Sequence, residues 1–202
     1  MGTKFARRLL RMVCLFVSML AMISGCSGVI KARAVPIVYP QSEKISLKVG
    51  LYLSEEFRGA LWERPPMGWE ARKILLGDAL TEGAEAVSRA LFSRLIIMKD
   101  PTNSVEVGID AILTPRMVSV EQTRPILRWD VTVITVMLEW SLKDVRGNII
   151  WVDTVRGEGK SRLDDPDTRI RLLIEDLFRN SFQVIRSSQE IRKFVATRVT
   201  SQ

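Results

Sequence analysis

The feature that most constrains the fold is a pair of strand-like segments joined by a short turn. Residues 128–143 are rich in β-branched and aromatic side chains, which favour extended strands. The next five residues, 144–148, read Asp-Val-Arg-Gly-Asn and have the composition of a tight turn. Residues 149–157 then resume the strand-like composition. The sequence therefore predicts a β-hairpin in the second half of the chain.

Three further segments are expected to add strands to this hairpin. Residues 45–54 place aliphatic side chains at alternate positions, which indicates a strand with one buried face. Residues 95–98 are continuously apolar and predict a short buried strand. Residues 109–120 predict another strand, in which Pro115 indicates an edge position or a bulge because proline cannot donate a hydrogen bond.

Two segments show helical periodicity instead. Between residues 78 and 91, apolar side chains recur every three or four positions, as on one face of a helix. The last helix is expected to begin after Asp165, a capping residue, with Pro166 at its first position. Its apolar stripe runs from Ile170 to Ile185 and is expected to continue through residues 191 and 195.

The order of these elements predicts an α+β fold. Two amphipathic helices are expected to cover one face of a two-layer domain, whose mostly antiparallel sheet has about five strands. Residues 45–202 supply this single domain. Residues 55–76 form a long connection, and connections of this length are often functional. Trp62 and Trp69, which flank a Pro-Pro pair within it, are candidate contact residues for a partner or a ligand.

Composition excludes several classes of active site. The chain of 202 residues contains no His and only two Cys, Cys14 and Cys26. Imidazole general bases, Cys/His zinc sites, Ser-His-Asp triads and a disulfide framework are therefore excluded. Asp130 and Glu139 are the acids best placed against a sheet, but an exposed sheet face explains them equally well. We therefore expect no enzyme, no catalytic residue and no cofactor.

Two short segments look like ligand sites but lack the required spacing. Residues 157–161 end in Gly-Lys-Ser, yet a phosphate-binding loop requires a first Gly where this chain has Thr154. The glycines of this segment are expected to kink the end of the hairpin strand. Asp164, Asp165 and Asp167 lack the Gly and the bidentate Glu of a calcium-binding loop. Helix capping and the helix dipole explain these acids, so no metal site is expected.

The amino terminus has the layout of an export signal. Residues 1–25 contain four basic and no acidic residues, and residues 12–23 are apolar apart from Ser18. This apolar stretch is too short to cross a bilayer, which takes about 20 residues. Removal of the signal lowers the net charge from +7 to +3, and the remaining charges are interspersed. A nucleic-acid partner is therefore not expected.

The signal ends in Ile23-Ser24-Gly25-Cys26, which resembles the bacterial lipobox. The resemblance implies cleavage between Gly25 and Cys26, a diacylglycerol on the Cys26 sulfur and an acyl chain on the new amino terminus. Ile23 occupies the aliphatic position, where Leu is more usual. The alternative is a plain secretory signal that leaves Cys26 as an unpaired thiol.

This resemblance also implies a location. Two or more acyl chains give durable membrane anchoring, whereas a single chain is marginal. Ser27 stands where an Asp would retain such a protein at the inner membrane. In a Gram-negative host we therefore expect the periplasmic leaflet of the outer membrane. Residues 26–44 contain two prolines and no sustained period, and are expected to form a tether that lifts the domain off the membrane.

Beyond the lipobox, the mature chain resembles small envelope lipoproteins, namely the accessory lipoproteins of lipid and lipopolysaccharide transport and the YajG-type lipoproteins. The resemblance is carried by a helix over residues 79–92, a strand over 110–115 and a hairpin over 136–151. It implies a non-enzymatic accessory or assembly component of an envelope protein complex. The alternative is a binder or carrier of an amphipathic, lipid-like ligand in a groove between the helices and the sheet. The sequence predicts no particular oligomeric state.

Overall fold

The computed structural model describes residues 29–33, 36–40, 43–63, 73–101, 108–123, 131–162 and 165–199. The main sheet consists of β2 (Ile45–Tyr52), β5 (Phe92–Met98), β6 (Ala111–Gln122), β7 (Val131–Asp144) and β8 (Ile149–Arg162). A second, small sheet consists of β1 (Val29–Lys31), β3 (Leu61–Glu63) and β4 (Lys73–Leu75). The helices are α1 (Glu55–Arg58), α2 (Gly77–Leu91), α3 (Pro166–Ser187) and α4 (Gln189–Val199).

The main sheet has the strand order β5-β2-β6-β7-β8. The two longest pairings, β6 with β7 and β7 with β8, are antiparallel. β2 pairs in parallel with β6, and also with β5, which the chain enters after crossing over through α2. This arrangement confirms the predicted α+β fold. The strand predicted at residues 95–98 is present as part of β5, but it is only partly buried: β5 is an edge strand among the described strands, and Ile97 is exposed whereas Met98 is buried.

The predicted hairpin is present, and Asp144 holds its turn. The Asp144 carboxylate accepts hydrogen bonds of 2.8 Å from the N–H groups of Arg146 and Asn148 and from the Asn148 amide. Gly147 has a φ of 87°, a conformation that favours glycine. β8 continues past residue 157 to Arg162, and its pairing with β7 is regular throughout the glycine-containing segment. The kink expected there is therefore not present.

Pro115 lies in a part of β6 that has only one neighbouring strand. The pairing of β6 with β2 ends at Leu113, whereas its pairing with β7 continues to Gln122. A register shift between Met117 and Ser119 marks a bulge just beyond the proline. Both features expected from Pro115, an edge position and a bulge, are present in this part of β6.

Helices α2 and α3 cover one face of the main sheet. Along β7 every second side chain from Ile134 to Leu142 is buried, in the same core as the apolar sides of both helices. Asp165 caps α3 as predicted, because its Oδ1 accepts a hydrogen bond of 3.0 Å from the Thr168 N–H. In the described part of the chain, no helix has the length and apolar character needed to span a membrane.

The apolar stripe of the last helix is divided between two helices. α3 ends at Ser187, and the Ser188 hydroxyl then accepts a hydrogen bond of 3.3 Å from the Ile191 N–H. This bond caps the start of α4. Ile191 is buried and Val195 packs partly against the core, so the residues predicted to continue the stripe do so from a separate helix.

The small sheet has the strand order β1-β4-β3. Its strands β3 and β4 lie within the long connection expected over residues 55–76, of which residues 64–72 lie outside the described ranges. Its inner side chains, Ile30, Trp62 and Ile74, face one another in the register and pack against the main core. The small sheet and the main sheet therefore share one core.

The segment before β2 differs from the expected tether. Val29–Lys31 pairs in parallel with β4, and Ala32 is buried. Tyr39 stacks on Phe182 of α3, with the ring centroids 5.0 Å apart. These side chains therefore attach parts of the segment to the domain, whereas Val38 between them is exposed.

Candidate functional site

Of the four residues proposed from the sequence, only Trp62 lies within the described structure. Gly25, Cys26 and Trp69 lie outside it, so the cleavage and lipidation site and one candidate contact residue stay predictions. Trp62 in β3 lies opposite Ile74 and is half-buried against the core. Its indole therefore offers only part of its surface to a partner or a ligand.

The acidic residues near the start of α3 have structural roles. Hydrogen bonds from the Thr168 hydroxyl and N–H lower the pKa of the Asp165 carboxyl below its ordinary value of 3.8. Asp167 lies in the first turn, where the helix dipole favours a carboxylate. Asp164 lies outside the described residues. Within the described ranges, no three acidic or sulfur-bearing side chains come together as a metal site would require.

Two glycines in β8 allow α3 to lie directly on the sheet. A Cβ at position 159 would lie 2.0 Å from the Arg169 carbonyl oxygen, and a Cβ at position 157 would lie 2.4 Å from Leu177 Cβ. Both distances are far shorter than van der Waals contact, so only glycine fits beneath the helix at Gly157 and Gly159. The Gly-x-Gly sequence therefore has a packing role.

Large side chains also pack between the helices and the sheet. Trp140 in β7 is fully buried, and its Nε1 donates a hydrogen bond of 3.0 Å to the Ser181 hydroxyl on α3. Phe178 of α3 packs against α2, where a Cβ at Gly83 would lie 2.1 Å from its ring. At these positions, protein side chains occupy the layer between the helices and the sheet.

Polar side chains of α3 cover the outer edge of β8. Asp176 accepts a hydrogen bond of 2.9 Å from the Glu158 N–H, and Asn180 donates one of 3.0 Å to the Arg156 carbonyl. These contacts satisfy backbone groups that an edge strand would otherwise present to another strand. The covered part of β8 is therefore a poor template for strand addition.

A cleft of about 380 Å³ lies between this edge and α3. Its charged side chains pair with one another, Lys160 with Glu158 at 2.9 Å and Arg179 with Glu175 at 2.7 Å. The third carboxylate of the lining, Asp176, accepts hydrogen bonds from the Glu158 N–H and the Asn180 amide. An exposed cleft whose charged groups already have partners offers little binding energy to a charged ligand.

On the second face of the main sheet, no helix of the described ranges covers the centre of β7. The β7 side chains there are half-buried, in alternation with the fully buried ones that face the helices. We define the open face as these residues and their cross-strand neighbours: Val133, Thr135, Met137, Glu139 and Ser141 on β7, Thr114, Arg116, Ser119 and Glu121 on β6, and Val152, Thr154, Arg156, Glu158 and Lys160 on β8.

The open face mixes aliphatic, hydroxyl and charged side chains. Arg116 and Glu139 form a bidentate ion pair across the strands, with both nitrogen–oxygen distances at 3.2 Å. Val152 on the neighbouring strand is 44% exposed. Glu139, which the sequence placed against a sheet, is thus explained by an ion pair on an exposed face, whereas Asp130 lies outside the described residues.

The sequence carries a partial signal for the open face. The strand-like composition of residues 128–143 predicts that alternate side chains point to opposite faces. It does not predict which of the two sets stays free of helices, because that depends on where α2 and α3 pack. The sequence alone therefore does not identify the open face.

No family model matches the chain, and no curated protein matches it. Among solved structures, the fold is similar to that of protein XCC0632 from Xanthomonas campestris, which is described by the family-model DUF330. The TM-score is 0.55 at 10% sequence identity, and the alignment covers 87% of this chain and 99% of that chain. This similarity shows a shared fold.

Two further solved structures are more distant. The hypothetical protein CT253 from Chlamydia trachomatis aligns with a TM-score of 0.44 at 13% identity, over 70% of this chain and 96% of that chain. A minor lipoprotein from Acinetobacter baumannii aligns with a TM-score of 0.41 at 15% identity, over 77% of this chain and 96% of that chain. Similarities of this size support no inference about function.

Proposed function

We propose that this protein is a lipid-anchored, non-enzymatic accessory or assembly component of a bacterial envelope complex, and that it binds a protein partner through the open face. The observation that carries this proposal is the contrast between the two faces of the main sheet. Tightly packed helices close one face, whereas the other exposes a mixed set of side chains. The lipobox-like residues 23–26 supply the location.

The anchor is the lipidated Cys26. Support for it comes from the export-signal layout of residues 1–25 and from the small residues directly before the cysteine. Diacylglycerol and an N-acyl chain on Cys26 hold the domain at a membrane. In a Gram-negative host, the absence of Asp at position 27 favours the periplasmic leaflet of the outer membrane.

Substitution of the cysteine tests the anchor. We expect Cys26→Ser to accumulate as an unlipidated, full-length precursor in the bacterium, measured by the mass of the protein and its partition into detergent. Cys14→Ser, which lies within the signal, is the matched control and should be processed normally. Normal processing and lipidation of the Cys26→Ser chain would contradict the proposal.

A protein partner suits the open face better than a small molecule does. Small ligands bind in concave pockets, whereas the open face is the broad surface of a sheet. Reversible protein interfaces are about as apolar as the rest of a protein surface, which fits a face where Met137 and Val152 lie among hydroxyl and charged groups. The filled space between helices and sheet gives the lipid-carrier alternative less support.

Substitution of Met137 tests the partner surface. Three tagged chains are each isolated from detergent-solubilised envelopes: the unsubstituted chain, the Met137→Glu variant and the control Arg171→Glu. Arg171 lies on the exposed side of α3. We expect one envelope protein to copurify with the unsubstituted chain and with Arg171→Glu and to be lost with Met137→Glu. Equal recovery with all three would contradict the open face as the contact. Bound lipid without any recurring protein would instead favour the carrier.

A further inference from the structure

The small sheet begins very close to the proposed lipid anchor. Three peptide units separate Cys26 from Val29, the first residue of β1. Fully extended, they span at most about 11 Å. Because β1 pairs with β4, the Val29 end of the small sheet stays within this distance of the lipidated residue unless β1 detaches from the fold.

Only one face of the small sheet is available to a membrane. Its inner face packs against the core, whereas its outer face carries Val29, Leu61 and Leu75. These aliphatic side chains are 54%, 38% and 40% exposed. Leu61 and Leu75 lie directly opposite each other in the register, so their exposed parts adjoin.

Lys31, Lys73 and Glu63 lie on the same outer face, and their charges are paired. Lys31 Nζ lies 2.7 Å from an Asp78 carboxylate oxygen, and Lys73 Nζ lies 2.6 Å from one of Glu63. The four groups together carry no net charge, and lysine stems can lie along apolar surface while their ammonium groups stay in water. A contact between this face and lipid therefore does not require an anionic bilayer.

We propose that the outer face of the small sheet, centred on Val29, Leu61 and Leu75, lies on the lipid surface. This inference rests on the proposed lipidation of Cys26 and adds an orientation to it. The anchor holds the face next to the bilayer at a high effective concentration. A contact that is too weak to bind membranes alone is therefore formed once the chain is anchored.

Site-specific quenching tests this orientation. Without the signal, Cys26 is the only native cysteine, and its sulfur carries the lipid, so an introduced cysteine is a unique labelling site. Lipidated Leu61→Cys and Leu75→Cys chains are labelled with a small fluorophore and placed in phosphatidylethanolamine–phosphatidylglycerol vesicles that contain a shallow nitroxide lipid. Arg94→Cys is the control, because Arg94 is an exposed residue of β5. β5 follows the far end of α2, and the 15 residues of this helix span about 22 Å from the end of the small sheet.

We expect the labels at positions 61 and 75 to lose at least about half of their fluorescence, because interfacial side chains lie within about 5–10 Å of the headgroup boundary. The label at position 94 should lose little, and the contrast should persist in phosphatidylcholine vesicles without anionic lipid. Flotation of the vesicles reports anchoring separately. Floating protein with equal quenching at all three positions would overturn the orientation and leave the anchor intact. Protein that does not float would overturn both.

Discussion

Tyr39 holds the segment before β2 against the domain. Its ring stacks on Phe182, and burial raises the pKa of its phenol. The hydroxyl is buried without a hydrogen-bond partner among the described residues. A buried polar group without a partner opposes folding, so the ring supplies the attachment of this segment and the hydroxyl weakens it.

Two substitutions at Tyr39 separate these contributions. We expect Tyr39→Phe to leave the free energy of unfolding unchanged or to raise it by up to about 1 kcal/mol, because the hydroxyl gives up no hydrogen bond. Tyr39→Ala should lower it by about 1–3 kcal/mol, because the ring contact is lost. Urea denaturation of the chain without residues 1–26 measures both. A clear destabilisation by Tyr39→Phe would contradict the assignment of an unpartnered hydroxyl.

Asp144 makes the stability of the hairpin turn depend on pH. A hydrogen bond from the Asn148 amide, with further ones from the Asn148 and Arg146 N–H groups, lowers the pKa of its carboxyl below the ordinary 3.8. A carboxyl with a lowered pKa in the folded chain stabilises the fold above its unfolded pKa. That contribution is lost as the pH falls through the folded pKa.

We therefore expect the unsubstituted chain to be more stable than Asp144→Asn at neutral pH, by at most about 1 kcal/mol because the turn is open to solvent. The difference should shrink once the pH falls below 3.8, as the unsubstituted carboxyl takes up its proton. Urea denaturation at a series of pH values measures it. A difference in the free energy of unfolding that grows toward acidic pH would contradict a lowered pKa of the Asp144 carboxyl.

At the level of whole elements, the long hairpin and the helices α2 and α3 could be predicted from the sequence. Each carries its own periodicity or turn chemistry within one continuous stretch. The small sheet could not be predicted, because its strands are three residues long and show no period. Its first pairing also joins Val29 to Lys73, which are distant in the sequence.

The contact between α3 and β8 also could not be predicted from the sequence. The sequence suggests that Gly157 and Gly159 are structural, but it assigns them to a kink. Their actual role depends on how closely α3 approaches, and that distance is set by packing across the whole core. The open face has the same origin, because it is the side of the sheet that these helices leave uncovered.

A substitution at the closest of these contacts tests the packing. We expect Gly159→Ala to lower the free energy of unfolding by about 2–4 kcal/mol, because its Cβ would collide with the Arg169 carbonyl oxygen. Lys160→Thr is the control in the same strand, because it removes only an exposed ion pair with Glu158 and should change the stability little. Urea denaturation compares the two. Similar stabilities of both variants would show that α3 can move away from β8 at little cost.

At the scale of the whole molecule, two surfaces receive different proposed roles. The outer face of the small sheet begins three residues after Cys26 and carries paired charges, which suits a lipid surface. The open face lies on the main sheet and combines apolar side chains with the Arg116–Glu139 pair, which suits a protein. The core between them is built from tightly packed apolar side chains of both sheets and the helices.

Photocrosslinking in living bacteria tests the central claim, that the open face binds an envelope protein, most directly. A photoreactive amino acid is placed at position 137 on the open face or at position 171 on the exposed side of α3, and adducts are identified after irradiation. We expect one discrete protein adduct from position 137 and none from position 171. The adduct from position 137 should disappear when Cys26→Ser removes the anchor. Adducts of equal pattern from both positions, or only lipid adducts from position 137, would contradict the central claim.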